Sequence, residues 1–384
     1  MIWEELTHQL ESLSKENLTR NRRTLESSCG SHAVVNGQSM LAFCSNDYLG
    51  LASHPVLANA VCESAHQWGT GSGGSHVVSG HMSPHDQLEK ALAHFVGAER
   101  ALFYSTGYMA NVGVVPTLVG RGDAVFADRL NHASLIDAVQ LSRADHRRYA
   151  HCDMAQLEKM LSESTAKRKL ILSDAVFSMD GDLAPINELF ELAEKYDAWL
   201  VLDDAHGFGV LGKEGRGSLN HCKLPFHPRL VYIGTLGKAA GVSGAFIAAS
   251  STVIEWLMQR SRSYIFTTAT SPVMASALLA SLKLIEQGDD RRRHLQTLIA
   301  RLSDGLDNTR WKLLPSFTAI QPVMVGENDA VLKVSAKLAE RGIWVPAIRP
   351  PTVPKGSARL RISLSAAHTD EHVEQLVHAL KEIK

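Results

Sequence analysis

The chain has 384 residues, of which 45% are hydrophobic and 21% charged, and its formal net charge is −1. This composition is ordinary for a globular protein, and it lacks the basic excess of a nucleic-acid-binding protein. No apolar run in the sequence reaches the length of a membrane span, so we expect no membrane partner either.

Cysteines and histidines show no metal or disulfide signature. The five cysteines are scattered without a CxxC pair, and the 18 histidines form no HExxH motif. We therefore expect neither a disulfide framework nor a bound metal, and a reducing cytoplasm fits this pattern.

The predicted elements begin with an amphipathic helix in the first 23 residues, which lack the apolar core of a secretory signal. Short apolar runs follow, and these predict the strands ALFYS (101–105), AVFAD (124–128), KLILSDAVF (169–177), AWLVLDD (198–204), RLVYIGT (229–235) and GAFIAAS (244–250). Helical patterns such as APINELFELAEKY (184–196) separate them. Strands that alternate with helices predict an α/β fold with a mostly parallel central sheet.

The pattern of predicted secondary structure changes from about residue 285. Long amphipathic helices there alternate with widely separated strands such as ARLRISL (358–364). This pattern is typical of a smaller α+β domain. We predict three parts: residues 1–50 as a helix and a segment that packs with the small domain, residues 51–280 as the large α/β domain, and residues 281–384 as the small domain.

Functional residues are expected at the carboxyl ends of the strands, where open α/β sheets bind ligands. Three such ends carry weak signals: Gly107 opens a helix that could hold an anion, His132 starts another helix, and Ser178 follows a strand before a tight turn. Taken alone, Gly107 and His132 are explained at least as well as a structural turn and a helix start, whereas Ser178 is expected to point from the strand end toward the site.

The strongest strand end is VLDDAHGFG (201–209), where two carboxylates and a histidine follow an apolar run. A carboxylate at a buried strand end needs a cation or a donor. Asp203 and Asp204 could hold magnesium, or Asp203 could pair with a protonated heterocyclic nitrogen. The D-x-A-H pattern favours the second interpretation.

Lys238 lies in GTLGKAAGVSG (234–244), among glycines and small residues. A phosphate-binding P-loop would need an upstream glycine at residue 232 and a hydroxyl residue after the lysine, but Tyr232 and Ala239 stand there. A lysine that forms a Schiff base needs room for a bulky cofactor and partial desolvation. With Asp203 as a partner for a pyridinium nitrogen, the pattern favours pyridoxal phosphate.

The sequence resembles the α-oxoamine synthases, pyridoxal-phosphate enzymes of the aspartate aminotransferase (type I) fold, over nearly its whole length. The stretches that carry the resemblance are FCSNDYLGLASHP (43–55), GTGSGGSHVVSGH (69–81), LNHASLIDA (130–138), VFSMDGDLAPI (176–186), DDAHGFGVLGKEGRGS (203–218), GTLGKAAGVSG (234–244) and AIRPPTVPKGSARLRISLSAAHT (347–369). The run IRPPTVP points to the branch that condenses L-alanine with pimeloyl-CoA, or with pimeloyl-acyl carrier protein, in biotin biosynthesis.

The resemblance implies a role for each matching residue at the cofactor. Lys238 would hold pyridoxal phosphate and later remove the α-proton of the amino acid, while Asp203 would keep the ring nitrogen protonated. The further residues implied there are His132 on the ring face, His206 and Ser178 at the ring oxygen, Gly107, Tyr108 and Thr235 at the phosphate, and Thr267 or Thr268 at the phosphate of the other subunit.

The resemblance also implies substrate contacts and a homodimer with shared active sites. Arg361 would bind the carboxylate of the amino acid, because a planar guanidinium can do so with two hydrogen bonds. The residues implied to line the amino acid or acyl substrate are Arg20, Asn46, Ser75, His132, Arg349 and Thr352.

Three positions depart from the family pattern and bear on substrate fit. His76 stands where glycine or arginine is expected, Phe208 replaces a small hydroxyl residue, and Cys152 stands where asparagine is more usual.

Two alternative functions stay open. The chain could be another α-oxoamine synthase, such as a glycine C-acetyltransferase or 5-aminolevulinate synthase, or a protein of this fold that binds the cofactor without turnover.

Overall fold

The computed structural model describes residues 2–383. Its helices are α1 (Ile2–Lys15), α2 (Pro55–Trp68), α3 (Ser83–Val96), α4 (Gly107–Leu118), α5 (Ala133–Ser142), α6 (Met154–Ser162), α7 (Ile186–Lys195), α8 (Ser218–His221), α9 (Ser251–Arg260), α10 (Arg262–Ile265), α11 (Pro272–Glu286), α12 (Asp289–Leu306), α13 (Asn328–Glu340) and α14 (Asp370–Glu382). Its strands are β1 (His32–Val35), β2 (Gln38–Ala42), β3 (Arg100–Tyr104), β4 (Ala124–Asp128), β5 (Asp145–Tyr149), β6 (Lys169–Asp174), β7 (Ala198–Asp203), β8 (Leu230–Thr235), β9 (Ala245–Ala249), β10 (Lys312–Leu313), β11 (Ile320–Gly326), β12 (Ile343–Trp344), β13 (Ala347–Ile348) and β14 (Ala358–Ser363).

The chain divides into two compact units. The larger unit contains residues 49–178 and 182–292, and the smaller contains the residues up to Tyr48, residues 179–181 and residues from Arg293 onward. Toward the C-terminus, the larger unit gives way to the smaller between residues 292 and 293, inside α12. The sequence led us to expect this border after residue 280.

A seven-stranded sheet forms the centre of the larger unit, with the strand order β3-β9-β8-β7-β6-β4-β5. Neighbouring strands from β8 to β5 pair in parallel, while β9 runs antiparallel to both β3 and β8. The expected α/β fold with a mostly parallel central sheet is therefore confirmed.

The central strands are apolar because helices cover both faces of the sheet. Every residue of β4, β8 and β9 is buried. The edge strand β5 differs, because its sequence DHRRY is buried only at its last residue, Tyr149. The sequence analysis did not predict β5, since a polar edge strand has no apolar run to reveal it.

The smaller unit contains two sheets of its own. Strands β1, β2 and β12 form the first, and β10, β11, β14 and β13 form the second, whose pairs are all antiparallel. The predicted N-terminal helix is present as α1 and buries no residue. Within residues 2–383, no helix combines the length and apolar character needed to cross a membrane.

Candidate active site

The candidate site of the larger unit is built on the ends of neighbouring parallel strands. Strand β7 ends at Asp203, and β8 ends at Thr235, three residues before Lys238. Lys238 Nζ lies 2.8 Å from Nε2 of His206, which is buried in the loop after β7. The geometry therefore brings together the lysine and the histidine of the two strongest sequence motifs.

Asp203 is a buried carboxylate with two hydrogen-bond donors. Its Oδ2 accepts a hydrogen bond from Asn111 Nδ2 at 2.7 Å, and its Oδ1 accepts one from the backbone N–H of Ala205 at 3.0 Å. A carboxylate has about four lone-pair sites, so these two donors leave capacity for a further N–H. The sequence analysis missed Asn111, which lies on the buried side of α4 among apolar residues.

His132 caps the start of α5 beside this carboxylate. Its Nδ1 accepts the backbone N–H of Ser134 at 3.3 Å and lies 2.7 Å from the Ser134 hydroxyl. The surrounding protein atoms, and then the Lys238 cation, lower the pKa of His132, although the Asp203 carboxylate acts in the opposite direction. His132 thus lies within electrostatic reach of both Lys238 and Asp203, and it keeps an exposed surface.

A second buried carboxyl group, Asp174, fixes the backbone of His132. Asp174 ends β6 opposite Asp203 in the sheet register, and its Oδ2 accepts the His132 N–H at 2.7 Å. Burial, followed by the charge of Asp203, raises the pKa of Asp174 well above its usual range. Asp174 was not predicted as a site residue, because nothing in the sequence separates it from other strand-end aspartates.

Asp204 has a structural role. It is fully buried, and its carboxylate accepts hydrogen bonds from the Ser218 hydroxyl at 2.5 Å, the Ser218 N–H at 2.7 Å and the Tyr232 hydroxyl at 2.7 Å. Because three donors already occupy this carboxylate, the arrangement does not favour the alternative in which Asp203 and Asp204 share a magnesium ion.

The start of α4 provides anion-binding groups next to Thr235. Gly107 and Tyr108 are the first residues of the helix, so their N–H groups have no partner inside it. A methyl group added at Gly107 would lie 3.8 Å from Thr235 Oγ1, which places that hydroxyl beside the helix start. The Tyr108 side chain points toward Asp137, and its hydroxyl donates a hydrogen bond to the Asp137 carboxylate.

Arg361 is the central cation of the predicted substrate residues in the smaller unit. It is 5% exposed, and its guanidinium donates to Ser363 Oγ at 2.7 Å, Asn46 Oδ1 at 3.2 Å and the Tyr48 hydroxyl at 3.5 Å. The structure thus joins two predicted residues, Arg361 and Asn46, in one hydrogen-bonded group. Burial raises the pKa of Tyr48, which keeps its hydroxyl neutral.

The other predicted site residues are distributed between the two units. In the larger unit, Ser75 pairs with Thr268 through a backbone bridge, and Ser178 and Thr267 are half-buried. In the smaller unit, Arg349 O accepts the Thr352 N–H, and Arg349 itself donates to Asn17 O. Arg20 is exposed and makes no hydrogen bond with another predicted site residue within the described part of the chain.

Phe208, one of the departures from the family pattern, is a core residue. It is 1% exposed, and its ring lies edge-on to Phe95 at 5.8 Å and to Phe246 at 5.1 Å between centroids. An aromatic ring in this position fills the core, so its effect on substrate fit is indirect.

The groups at this site of the larger unit have the chemistry needed to bind pyridoxal phosphate. A primary amine at Lys238 can bond a carbonyl carbon, and a buried carboxylate at Asp203 can accept an N–H from a pyridinium ring. The α4 start and the Thr235 hydroxyl supply donors for a phosphate. The larger unit therefore supplies groups for the carbonyl carbon, the ring nitrogen and the phosphate of the cofactor.

Comparisons with known proteins agree with this assignment of the cofactor. The model of the family "Aminotransferase class I and II" matches residues 38–380. The 8-amino-7-oxononanoate synthase of Herminiimonas arsenicoxydans is 66% identical over 385 residues, which cover 99% of each chain.

Two solved structures extend the likeness to three dimensions. The chain superposes with a TM-score of 0.92 on the serine palmitoyltransferase from S. paucimobilis with a bound PLP–myriocin aldimine, at 28% identity over 99% of this chain and 96% of that one. For the 8-amino-7-oxononanoate synthase from Francisella tularensis, the TM-score is 0.79 at 32% identity over 89% of this chain and 97% of that one.

Proposed function

The chain belongs to the aminotransferase class I and II family and, within it, to the 8-amino-7-oxononanoate synthases, and from this premise we propose the reaction that it catalyses. L-alanine condenses with the pimeloyl group of a thioester to give 8-amino-7-oxononanoate, a step of biotin biosynthesis. The enzyme is a pyridoxal-phosphate-dependent acyltransferase.

The reaction forms one carbon–carbon bond, between the α-carbon of alanine and the acyl carbon. The carbon–sulfur bond of the thioester breaks and the sulfur leaves as a thiol. The alanine carboxylate leaves as carbon dioxide, and the α-carbon takes up a proton in its place. Bound pyridoxal phosphate supplies the electron sink that makes the α-proton of the amino acid acidic. The protein therefore has to hold both reactants and move a proton at one carbon.

We propose that Lys238 Nζ anchors the cofactor and then moves the α-proton. A lysine amine acts as a base only when it is neutral, and Lys238 is half-buried among small residues. His206 Nε2, which lies 2.8 Å from Nζ, can orient the amine and exchange a hydrogen bond with it. His132 is proposed to pack against the cofactor ring.

We propose that Asp203 holds a proton on the ring nitrogen. Its two donors, Asn111 Nδ2 and the Ala205 N–H, hold the carboxylate in one direction. Asn111 acts through Asp203 and is therefore a positioning residue.

Arg361 is proposed to bind the carboxylate of L-alanine, as the resemblance implies. Its planar guanidinium already donates to neutral oxygens of Asn46, Ser363 and Tyr48, and these contacts fix its orientation. A fixed guanidinium binds a carboxylate with less loss of side-chain entropy than a flexible amine would.

We further propose a homodimer in the cytoplasm that takes its acyl group from coenzyme A or from an acyl carrier protein. Thr267 or Thr268 would then reach the cofactor phosphate of the other subunit. The cysteines form no disulfide within the described residues, which is compatible with a reducing compartment. Light scattering on the purified protein gives the mass of the assembly, and a monomer would contradict the shared site.

The observation that carries the proposal is the contact between Lys238 and His206, together with His132, which lies within electrostatic range of both Lys238 and the buried Asp203. The test is product analysis by mass spectrometry with L-alanine and pimeloyl-CoA, compared with glycine and acetyl-CoA or succinyl-CoA. We expect 8-amino-7-oxononanoate from the first pair and none from Lys238→Ala. A preference for glycine would assign the chain to another α-oxoamine synthase, and normal turnover by Lys238→Ala would refute the role of the lysine.

A further inference from the structure

Three histidines that take no part in the proposed reaction lie together where the chain enters α3. His76 opens a short π-helix (His76–Gly80), while His81 and His85 lie four residues apart at the start of α3. The His76 ring centroid lies 5.1 Å from those of both His81 and His85, which are 5.7 Å from each other. One ring nitrogen of each histidine lies within 4.8 Å of those of the other two.

Two of these rings already meet through their nitrogens. Nδ1 of His76 lies 2.9 Å from Nδ1 of His81, so the two neutral rings share one hydrogen between them. In a tetrahedral zinc site with bonds of about 2.0 Å, two ligand nitrogens lie about 3.3 Å apart. An ion can therefore take the place of the shared hydrogen after a movement of a few tenths of an ångström. The ring that carried this hydrogen on Nδ1 then changes tautomer, so that both rings have their proton on Nε2.

His85 has the outer partner that a metal-binding histidine needs. His85 Nε2–H donates to Thr270 O at 2.7 Å, which leaves the lone pair on Nδ1, where it accepts the Met82 N–H at 3.0 Å. His81 Nε2 lies 4.0 Å from a carboxylate oxygen of Glu89. The hydrogen bond of His85 to a backbone carbonyl is the kind of contact that fixes the tautomer of a ligating histidine. An ion at His85 would replace a single backbone hydrogen bond, the one from Met82.

The protonation states of the cluster suit a metal ion. Burial, and then the neighbouring rings of His85 and His81, lower the pKa of His76 to about 3. Burial is also the first cause of the lowered pKa values of His81 and His85. A metal ion therefore finds neutral imidazoles and does not have to displace protons near pH 7. His76 is held in place by its stacking on Tyr264, at 4.8 Å between ring centroids.

We propose that His76, His81 and His85 form a binding site for one divalent transition-metal ion of the zinc class. Imidazole nitrogens suit Zn²⁺, Co²⁺ and Ni²⁺ and disfavour Mg²⁺ and Ca²⁺, which prefer oxygen ligands. Three protein ligands leave a fourth position for water. The spacing H-x₄-H-x₃-H does not match the motif that the sequence analysis considered, which explains why no metal was expected there.

The proposed site lies in a segment that contacts a second segment of the larger unit. Gly74 O accepts the Ala269 N–H at 2.9 Å, and Ser75 forms a backbone bridge with Thr268, so residues 74–85 already contact residues 268–270. An ion bound to the three histidines stabilises the folded protein, because a ligand that binds only the folded state stabilises it by mass action. Metal binding at these histidines can be measured separately from the proposed condensation reaction.

The test is a titration of the cofactor-loaded enzyme, first cleared of metal with a chelator, with Co²⁺ as a visible substitute for Zn²⁺. We expect one Co²⁺ per chain, absorption bands of imidazole-bound Co²⁺, and displacement by Zn²⁺. His81→Gln should weaken the binding at least about tenfold, and because His81 is exposed this change leaves the core intact. The control His66→Gln changes an exposed histidine of α2 outside the cluster and should bind like the wild type.

Equal affinities of the wild type and His81→Gln would overturn the proposal, as would the absence of saturable Co²⁺ binding. If His81→Gln does not fold, X-ray absorption of the Zn²⁺-loaded wild type decides the question. Three imidazole nitrogens at about 2.0 Å support the site, and fewer than three overturn it.

Discussion

The hydrogen bond between Asn111 and Asp203 allows a sharp test of how the site works. Asn111 is 1% exposed, and its Nδ2 donates to Asp203 Oδ2 at 2.7 Å. Asn111→Ala removes this donor and leaves the carboxylate with the Ala205 N–H. The carboxylate then loses both a stabilising contact and a constraint on its direction.

A hydrogen bond to a charged group contributes about 1.5–3 kcal/mol. If this energy acts on the transition state, kcat/KM for L-alanine falls by about 10- to 150-fold in Asn111→Ala. The cofactor should stay bound through Lys238, so the visible spectrum of the resting enzyme should change little. Thr117→Ala is a suitable control, because Thr117 lies on the same helix and its hydroxyl donates within that helix, to Gly113 O.

The assay is a double-mutant cycle that combines Asn111→Ala with Asp203→Asn and measures kcat/KM for each variant. If Asn111 acts through Asp203, its substitution should have little further effect once the carboxylate is gone, so the coupling energy should approach the full effect of Asn111→Ala. Effects that add within about 0.5 kcal/mol would refute the reasoning. A similar loss in Thr117→Ala would assign the effect to the helix.

Three further predictions concern the phosphate, the substrate carboxylate and acid stability. Thr235→Val should raise the Kd for pyridoxal phosphate about tenfold through the loss of one hydroxyl donor, in a titration of the cofactor-free protein, whereas Thr235→Ser should bind normally. Arg361→Lys should raise KM for L-alanine at least about tenfold, because the two-pronged contact is lost; an unchanged KM would contradict this role. Burial lowers the pKa of His368 from 6.5 to about 4, so the stability due to its neutral ring is present above pH 6.5 and is lost as the pH falls toward 4. Between neutral pH and about pH 4.5, the wild type should lose roughly 2.5 kcal/mol more unfolding free energy in urea than His368→Gln, and parallel pH curves for the two proteins would exclude this cause.

The sequence predicted the centre of the fold well, because buried parallel strands are apolar throughout. AVFAD coincides with β4, and RLVYIGT differs from β8 by one residue at its start. The last residues of the predicted strands KLILSDAVF and AWLVLDD lie beyond β6 and β7, in the loops that carry Ser178 and His206. Apolar periodicity cannot locate such an end, because the loop residues that follow are buried as well.

The candidate site was predictable where a residue follows a recognisable strand and less so elsewhere. Lys238 and His206 were both selected from their motifs, and the structure places them in contact. Asn111 was not predicted as a site residue, because a single polar residue within an apolar helix does not indicate which residue it contacts. Its role becomes visible through the contact with Asp203, which joins residues 92 positions apart.

The division of the chain between the two units has a consequence for synthesis on the ribosome. The larger unit is nearly one continuous stretch, residues 49–292, interrupted at 179–181, whereas the smaller unit needs residues from both sides of it. Strand β2 has to wait for β12, made some 300 residues later, before the first small sheet is complete. All the residues proposed to hold pyridoxal phosphate within one chain are made before Arg361, so a nascent chain can acquire its cofactor before it can recognise its amino acid.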